Sequence, residues 1–111
     1  MNEKDIIVEI ELGGQKYNSK IDMRTIANVQ TEFKLRGLDY NLNRIMSDSY
    51  QDWNVVIEFI VQSILRCHKT LNRNALEDKM FLSEKDNMFK YFDELVIKSF
   101  PAAPEGKQEE E

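Results

Sequence analysis

The stretch Gln51-Asp-Trp-Asn-Val-Val-Ile-Glu-Phe-Ile-Val-Gln-Ser-Ile-Leu-Arg-Cys-His-Lys69 is the most apolar part of the chain, and the rest must pack around it. At 3.6 residues per turn it predicts a helix with one broad apolar stripe and one narrow polar stripe. Val55 and Phe59 are exceptions, because they lie one turn apart on the flank that should be polar. A helix that is apolar on two sides is typical of a central helix, covered by neighbours or by a partner. The apolar stripe contains Trp53, Val56, Ile57, Ile60, Val61 and Ile64, and the polar stripe contains Asn54, Glu58, Gln62 and Arg66.

Length and composition indicate one domain with an acidic tail. Of the 111 residues, 41% are hydrophobic and 32% are charged, as in an ordinary soluble globular protein. The net charge is -5, but residues 101–111 hold four glutamates and one lysine, which leaves only -2 for residues 1–100. We expect a single α+β domain over 1–100 and a disordered tail over 101–111. Neither a basic patch for nucleic acid nor a membrane-spanning segment is expected, and a single cysteine suits a reducing compartment.

Residues 6–21 have the pattern of a β-hairpin. Alternating apolar and polar residues flank Gly13-Gly14, and a Gly-Gly pair suits the positive φ angles of tight hairpin turns. Such a hairpin is only marginally stable alone, so its apolar face needs helices to pack against. The turn predicts a register in which Leu12 pairs with Gln15, Ile10 with Tyr17, Val8 with Ser19 and Ile6 with Ile21.

Four further helices are indicated around the hairpin and the central helix. Asp22 and Asp39 are suited to cap two of them, and Gly37 to end the first. The capping-box spacing of residues 74–77 and 83–86 predicts a short helix and then a longer, aromatic-rich one. The expected fold is α+β, with a two-stranded β-hairpin packed on a bundle of four to five helices.

Two consecutive stretches carry a resemblance to a known family. They are Glu11-Leu-Gly-Gly-Gln-Lys-Tyr17 and Ile21-Asp-Met-Arg-Thr-Ile-Ala-Asn-Val-Gln-Thr-Glu-Phe33. A strand, a glycine-containing turn, a second strand with an aromatic residue and an acid-capped amphipathic helix follow one another in them. This order resembles the tail assembly chaperones of long-tailed bacteriophages and prophages. The resemblance covers roughly the first 65 residues as a pattern, and the aromatic last helix does not match it.

The resemblance implies a non-enzymatic function without a cofactor. Chaperones of this family act in the cytoplasm of the bacterial host, where they bind the tape-measure protein and help to recruit tail-tube subunits. The alternative is a small phage-encoded adaptor or regulatory module that acts through protein–protein interaction. Oligomeric state stays open, including self-association through the flank that bears Val55 and Phe59.

A binding protein of this kind needs apolar side chains exposed in moderate patches within a charged surface. The candidates are apolar residues that lie off the main stripes of the predicted helices. We therefore predict partner-binding roles for Val55, Phe59, Leu35, Phe89 and Ile97. For Phe59, burial against another helix of the same chain is as well supported as exposure.

No set of residues predicts a catalytic, metal or cofactor site. Cys67 and His68 are adjacent, and neighbouring helical residues point about 100° apart, which does not suit one tetrahedral metal site. A structural role is therefore favoured for both. Trp53 heads the apolar stripe and is expected in the core rather than on a ligand.

Overall fold

A hairpin is followed by helical segments in the computed structural model, which describes residues 6–38 and 52–99. The predicted α+β class with a two-stranded antiparallel hairpin is confirmed. In chain order the elements are β1 (Val8–Leu12), β2 (Gln15–Ser19), α1 (Met23–Leu35), α2 (Trp53–Cys67), α3 (Arg73–Glu77), a 3-10 turn (Leu82–Glu84) and α4 (Lys85–Ser99).

The hairpin has the predicted turn and register. Gly13 and Gly14 have φ angles of 58° and 83°, which residues with a Cβ rarely adopt. Residues on β1 alternate between buried and exposed, so one face of the hairpin joins the core. The ladder pairs Val8 with Ser19, Glu9 with Asn18, Ile10 with Tyr17, Glu11 with Lys16 and Leu12 with Gln15, and it does not extend to the predicted pair of Ile6 and Ile21.

Helix α1 begins and ends at the predicted residues. The Asp22 carboxylate accepts a hydrogen bond from the Thr25 backbone N–H, and the Thr25 hydroxyl accepts one from the Asp22 N–H, which completes a capping box. At the other end, Gly37 has a φ of 83°. The Leu38 N–H donates to the Phe33 carbonyl at 2.8 Å, the pattern of a Schellman motif.

Helix α2 is the central element of the core. It packs against β2, α1, α3 and α4, which explains why it is apolar on more than one side. Its N-terminus is capped by Asp52, whose carboxylate accepts a hydrogen bond from the Asn54 N–H. The fully buried side chains of α2 include Val55, Val56, Phe59, Ile60, Val61 and Ile64.

Two predicted caps are wrong. Helix α3 is capped by Asn72, which accepts from two backbone N–H groups, because the helix begins at Arg73 and not after Asn74. Ser83 lies inside the 3-10 turn that leads into α4, so it does not cap that helix.

The predicted helical bundle is only partly represented. Residues 6–38 and 52–99 contain three helices of 13 to 15 residues and the five-residue α3. The short helix predicted from Asp39 and the tail predicted for 101–111 lie outside the described residues. Within the described ranges, no helix combines the length and apolarity needed to cross a bilayer.

Candidate functional site

Val55 and Phe59 are not at the surface. Both are fully buried, and the Phe59 ring lies 5.4 Å from that of Phe92 on α4. The physical reason is that α2 is enclosed by α1 and β2 as well as by α3 and α4, so its second apolar flank has a partner within the chain. The expectation that these two residues form an exposed binding flank is therefore corrected: they belong to the core.

The other three predicted binding residues lie in different environments. Leu35, at the end of α1, is 77% exposed, and Ile97 on α4 is 73% exposed. Phe89 is partly buried and stacks on Trp53, with 4.8 Å between ring centroids and 10° between ring planes. Leu35 and Ile97 are thus available to a partner, whereas Phe89 mainly joins α4 to the start of α2.

A cleft of about 410 Å³ lies between the hairpin turn and the first half of α4, and we call it the turn cleft. Two of its apolar residues, Leu12 and Met88, are fully buried, while Phe81 is 55% exposed. The next residue, Leu82, is 76% exposed, which extends the apolar surface beyond the cleft. The cleft is lined by Glu11, Leu12, Gly13, Gly14, Lys79, Phe81, Glu84, Asn87, Met88 and Tyr91.

Side chains from later in the chain fix the shape of the turn cleft. The Glu11 backbone N–H, on the outer edge of β1, donates to the Tyr91 Oη at 3.3 Å. The stem of Lys79 lies on Gly13, where an added Cβ would come within 3.1 Å of the lysine Cγ. Its ammonium donates to Gln15 Oε1 at 2.5 Å and to Tyr17 Oη at 2.7 Å. The hairpin turn is therefore fixed by Tyr91 on the β1 side and by Lys79 on the β2 side.

A second polar feature is an ion cluster around Glu58, which we call the Glu58 cluster. Arg73 donates to both carboxylate oxygens of Glu58, at 2.9 and 2.6 Å. Arg36, at the end of α1, donates to the same carboxylate at 3.0 Å, and Gln62 at 2.8 Å. Arg73 also pairs with Glu77 at 2.7 Å. The cluster thus joins α1, α2 and α3 through a carboxylate that is only 1% exposed, covered by arginines that are 37% and 26% exposed.

The charge of Glu58 is stabilised by these donors. Burial alone would raise the pKa of Glu58, but the hydrogen bonds from Arg73 and Gln62 and the charges of Arg73 and Arg36 hold that pKa below its usual value. In the same way, the hydrogen bond to Glu58 raises the pKa of Arg73. Glu58 and Arg73 therefore stay ionised at neutral pH, which suits a structural role and does not suit proton transfer.

Asp22 forms a third polar connection, between the start of α1 and the end of α2. Arg66 donates to both of its carboxylate oxygens, through Nε at 3.0 Å and Nη2 at 2.9 Å. These bonds, together with those from Thr25, hold the pKa of Asp22 far below its usual range. The sequence predicted the helix cap but not the arginine, because the two residues are 44 positions apart.

His68 has a structural contact. Its Nε2 accepts a hydrogen bond from the Asn18 backbone N–H at 3.2 Å, and its ring meets Tyr17 edge-on with centroids 5.8 Å apart. The imidazole thereby covers the outer edge of β2. Among the residues that the structure describes, no group of three or more His, Cys, Asp or Glu side chains could hold a metal ion.

Comparison with protein-family models, with curated proteins and with solved structures found no match to this chain. The candidate site therefore depends on geometry alone. Sequence patterns pointed to Leu35 and Ile97 but missed the turn cleft, which brings together residues up to 80 positions apart. The one local signal was the adjacent pair Phe81-Leu82, two large apolar residues just before a helix.

Proposed function

We propose that this chain is a non-catalytic protein-binding module that acts as a tail assembly chaperone of a long-tailed bacteriophage or prophage. In this function it binds the tape-measure protein in the cytoplasm of the bacterial host and helps to recruit tail-tube subunits. The family resemblance supplies the identity of the partners, and the exposed apolar side chains supply the physical means of binding.

The observation that carries the proposal is the exposure of large apolar side chains on a domain whose core is already filled. Leu35, Phe81, Leu82 and Ile97 are each more than half exposed, although 17 hydrophobic residues are buried within residues 6–38 and 52–99. These four side chains are not part of the buried core. Contact with a client would remove each of them from water, which is favourable. Charged residues such as Glu94 and Lys98 surround Ile97 on α4 and would keep the complex soluble.

We also propose that the helices form a bundle of four to five. A further short helix from Asp39, before α2 in the chain, would be added to the four helices already described. Leu42, Ile45 and Met46 give that segment an apolar face of its own.

Co-expression with a tape-measure protein tests the proposal. We expect the chain to raise the soluble fraction of the client, and the double variant L35E/I97E to lose at least about half of this effect. A matched control is T31E/K90Q, which makes the same change in charge at two exposed polar positions on the same two helices. Unchanged thermal unfolding of both variants would show that binding, and not folding, has changed.

Two outcomes would contradict the proposal. If the wild-type chain leaves the solubility of the tape-measure protein unchanged, the chaperone function is wrong. Tight binding to a transcription factor, without rescue of that client, would instead favour the regulatory module. The gene neighbourhood offers an independent check, since a tail-tube gene before this gene and a very long tape-measure gene after it are expected.

A further inference from the structure

The turn cleft combines apolar, aromatic and acidic groups. Phe81, which is 55% exposed, and the partly buried Tyr91 provide aromatic and apolar surface at the walls, above the buried side chains of Leu12 and Met88. Glu11 and Glu84, both exposed, line the same cleft and carry negative charge. A ligand that matches the cleft therefore needs an apolar part, a flat or cationic part that suits an aromatic ring, and a positive charge.

Among the described residues that line the cleft, Lys79 is the one cation, and it is engaged elsewhere. The ammonium of Lys79 is held by Gln15 and Tyr17 and lies 5.4 Å from the centre of the Tyr17 ring. The Lys79 ammonium therefore lies on the β2 side of the hairpin turn. Within the described ranges, the Glu84 carboxylate accepts one hydrogen bond, from Asn87 at 2.6 Å, which leaves lone-pair positions for another donor.

Arginine fits this combination better than any other side chain. Its aliphatic stem can lie along apolar surface while its planar guanidinium stacks on an aromatic ring and donates to carboxylates in a fixed fork. Lysine carries the same charge, but its ammonium is compact and strongly hydrated and stacks less well. The net charge of residues 1–100 is only -2, so the attraction for a cationic partner comes mainly from the carboxylates of the cleft itself.

We propose that the turn cleft receives an arginine side chain of a partner protein. This inference relies on the proposed function only in that the partner is a protein, and it names the residue type by which the partner is recognised. Phe81 and Tyr91 stack on the guanidinium, Glu11 and Glu84 pair with it, and the exposed part of Phe81 contacts its stem.

The test is an NMR titration of the ¹⁵N-labelled full chain with two short peptides. One is acetyl-Ala-Arg-Ala-amide, and the other has citrulline, the neutral isostere of arginine, at the central position. The amides of Gly13 and Gly14 are suitable reporters, because both glycines line the cleft. We expect saturable shifts of these amides with the arginine peptide at roughly millimolar concentration, and at least about fivefold weaker binding of the citrulline peptide.

Variants and salt show whether the carboxylates are responsible. E11Q and E84Q should each weaken the binding of the arginine peptide, whereas E9Q, on the same strand but outside the cleft, should not. About 0.5 M salt should weaken binding to the wild-type chain as well, so the test does not depend on the folding of a variant. Equal binding of both peptides, no saturable shift at Gly13 and Gly14, or insensitivity to salt would each overturn the proposal. None of these outcomes bears on rescue of a tape-measure protein, so the two proposals can fail separately.

Discussion

At the scale of single residues, Glu58 has the most unusual position. A carboxylate removed from water is costly unless it is paired and its lone pairs accept hydrogen bonds. Glu58 receives four hydrogen bonds, from Arg36, Gln62 and twice from Arg73, which offset this cost. The two arginines come from the end of α1 and the start of α3, so one side chain of α2 determines where both elements meet it.

We therefore predict that E58Q destabilises the fold. The amide keeps the shape of the carboxylate but cannot pair with two guanidinium groups. Removing one partner of a fully buried pair costs about 3 kcal/mol, but the two arginines left behind are 37% and 26% exposed, so we expect a loss of about 2 kcal/mol. Urea denaturation, followed by the fluorescence of Trp53, measures the change. Its matched control is E32Q, since Glu32 contacts the same two arginines, Arg36 at 3.2 Å and Arg73 at 3.8 Å, but is 27% exposed and should cost less than about 1 kcal/mol. Equal effects of the two variants would show that Glu58 contributes no more than a surface ion pair.

At the scale of elements, Asp22 has two separable functions. It caps α1 through the Thr25 N–H, and it anchors α1 to the end of α2 through Arg66. Asparagine is as good an N-cap as aspartate, but it cannot form the charged pair. D22N should therefore lose the charged pair with Arg66 and the longer one with Lys20 at 3.9 Å, whereas D22A should lose the cap as well.

The comparison of these two variants gives a second prediction. We expect D22N to lower the free energy of unfolding by about 1 kcal/mol, because the pair is partly exposed, and D22A by about 1 kcal/mol more. R66Q removes the same ion pair, so combining D22N with R66Q should cost less than the sum of the two single losses. Additive losses in this double-mutant cycle would refute the pairing.

The elements also show which features the sequence could predict. The turn, the register and the capping of α1 were predictable because each depends on residues close in the chain, such as Gly13-Gly14 and Asp22. The spacing of Glu58 predicts a position on the polar stripe of the central helix. Its burial could not be predicted, because its arginine partners are 15 and 22 positions away. Phe59 was ambiguous for the same reason: helical periodicity shows that a flank is apolar but not what covers it.

At the scale of the whole molecule, buried or paired carboxylates make stability dependent on pH. The pKa values of Asp22 and Glu58 are both lowered in the folded chain and return to their usual range, about 4, when the chain unfolds. Between the folded and unfolded pKa values the unfolded chain binds more protons than the folded one, so stability rises with pH there. The contribution of both groups is complete above the unfolded pKa and is lost as pH falls through the folded pKa.

The free energy of unfolding should therefore decrease steadily from about pH 5 downwards, and the two carboxylates should account for much of the decrease. The double variant D22N/E58Q is less stable than the wild type at pH 6, but its stability should depend less on pH, so the two curves converge in acid. A control, E94Q, removes a carboxylate that is 52% exposed and pairs with Lys98 only at 3.8 Å, and its curve should run parallel to that of the wild type. Urea denaturation at several pH values between about 6 and 3 measures all three curves. If the wild type and D22N/E58Q keep a constant difference down to about pH 3, the lowered pKa values of Asp22 and Glu58 do not stabilise the fold, and its acid sensitivity comes from other carboxylates.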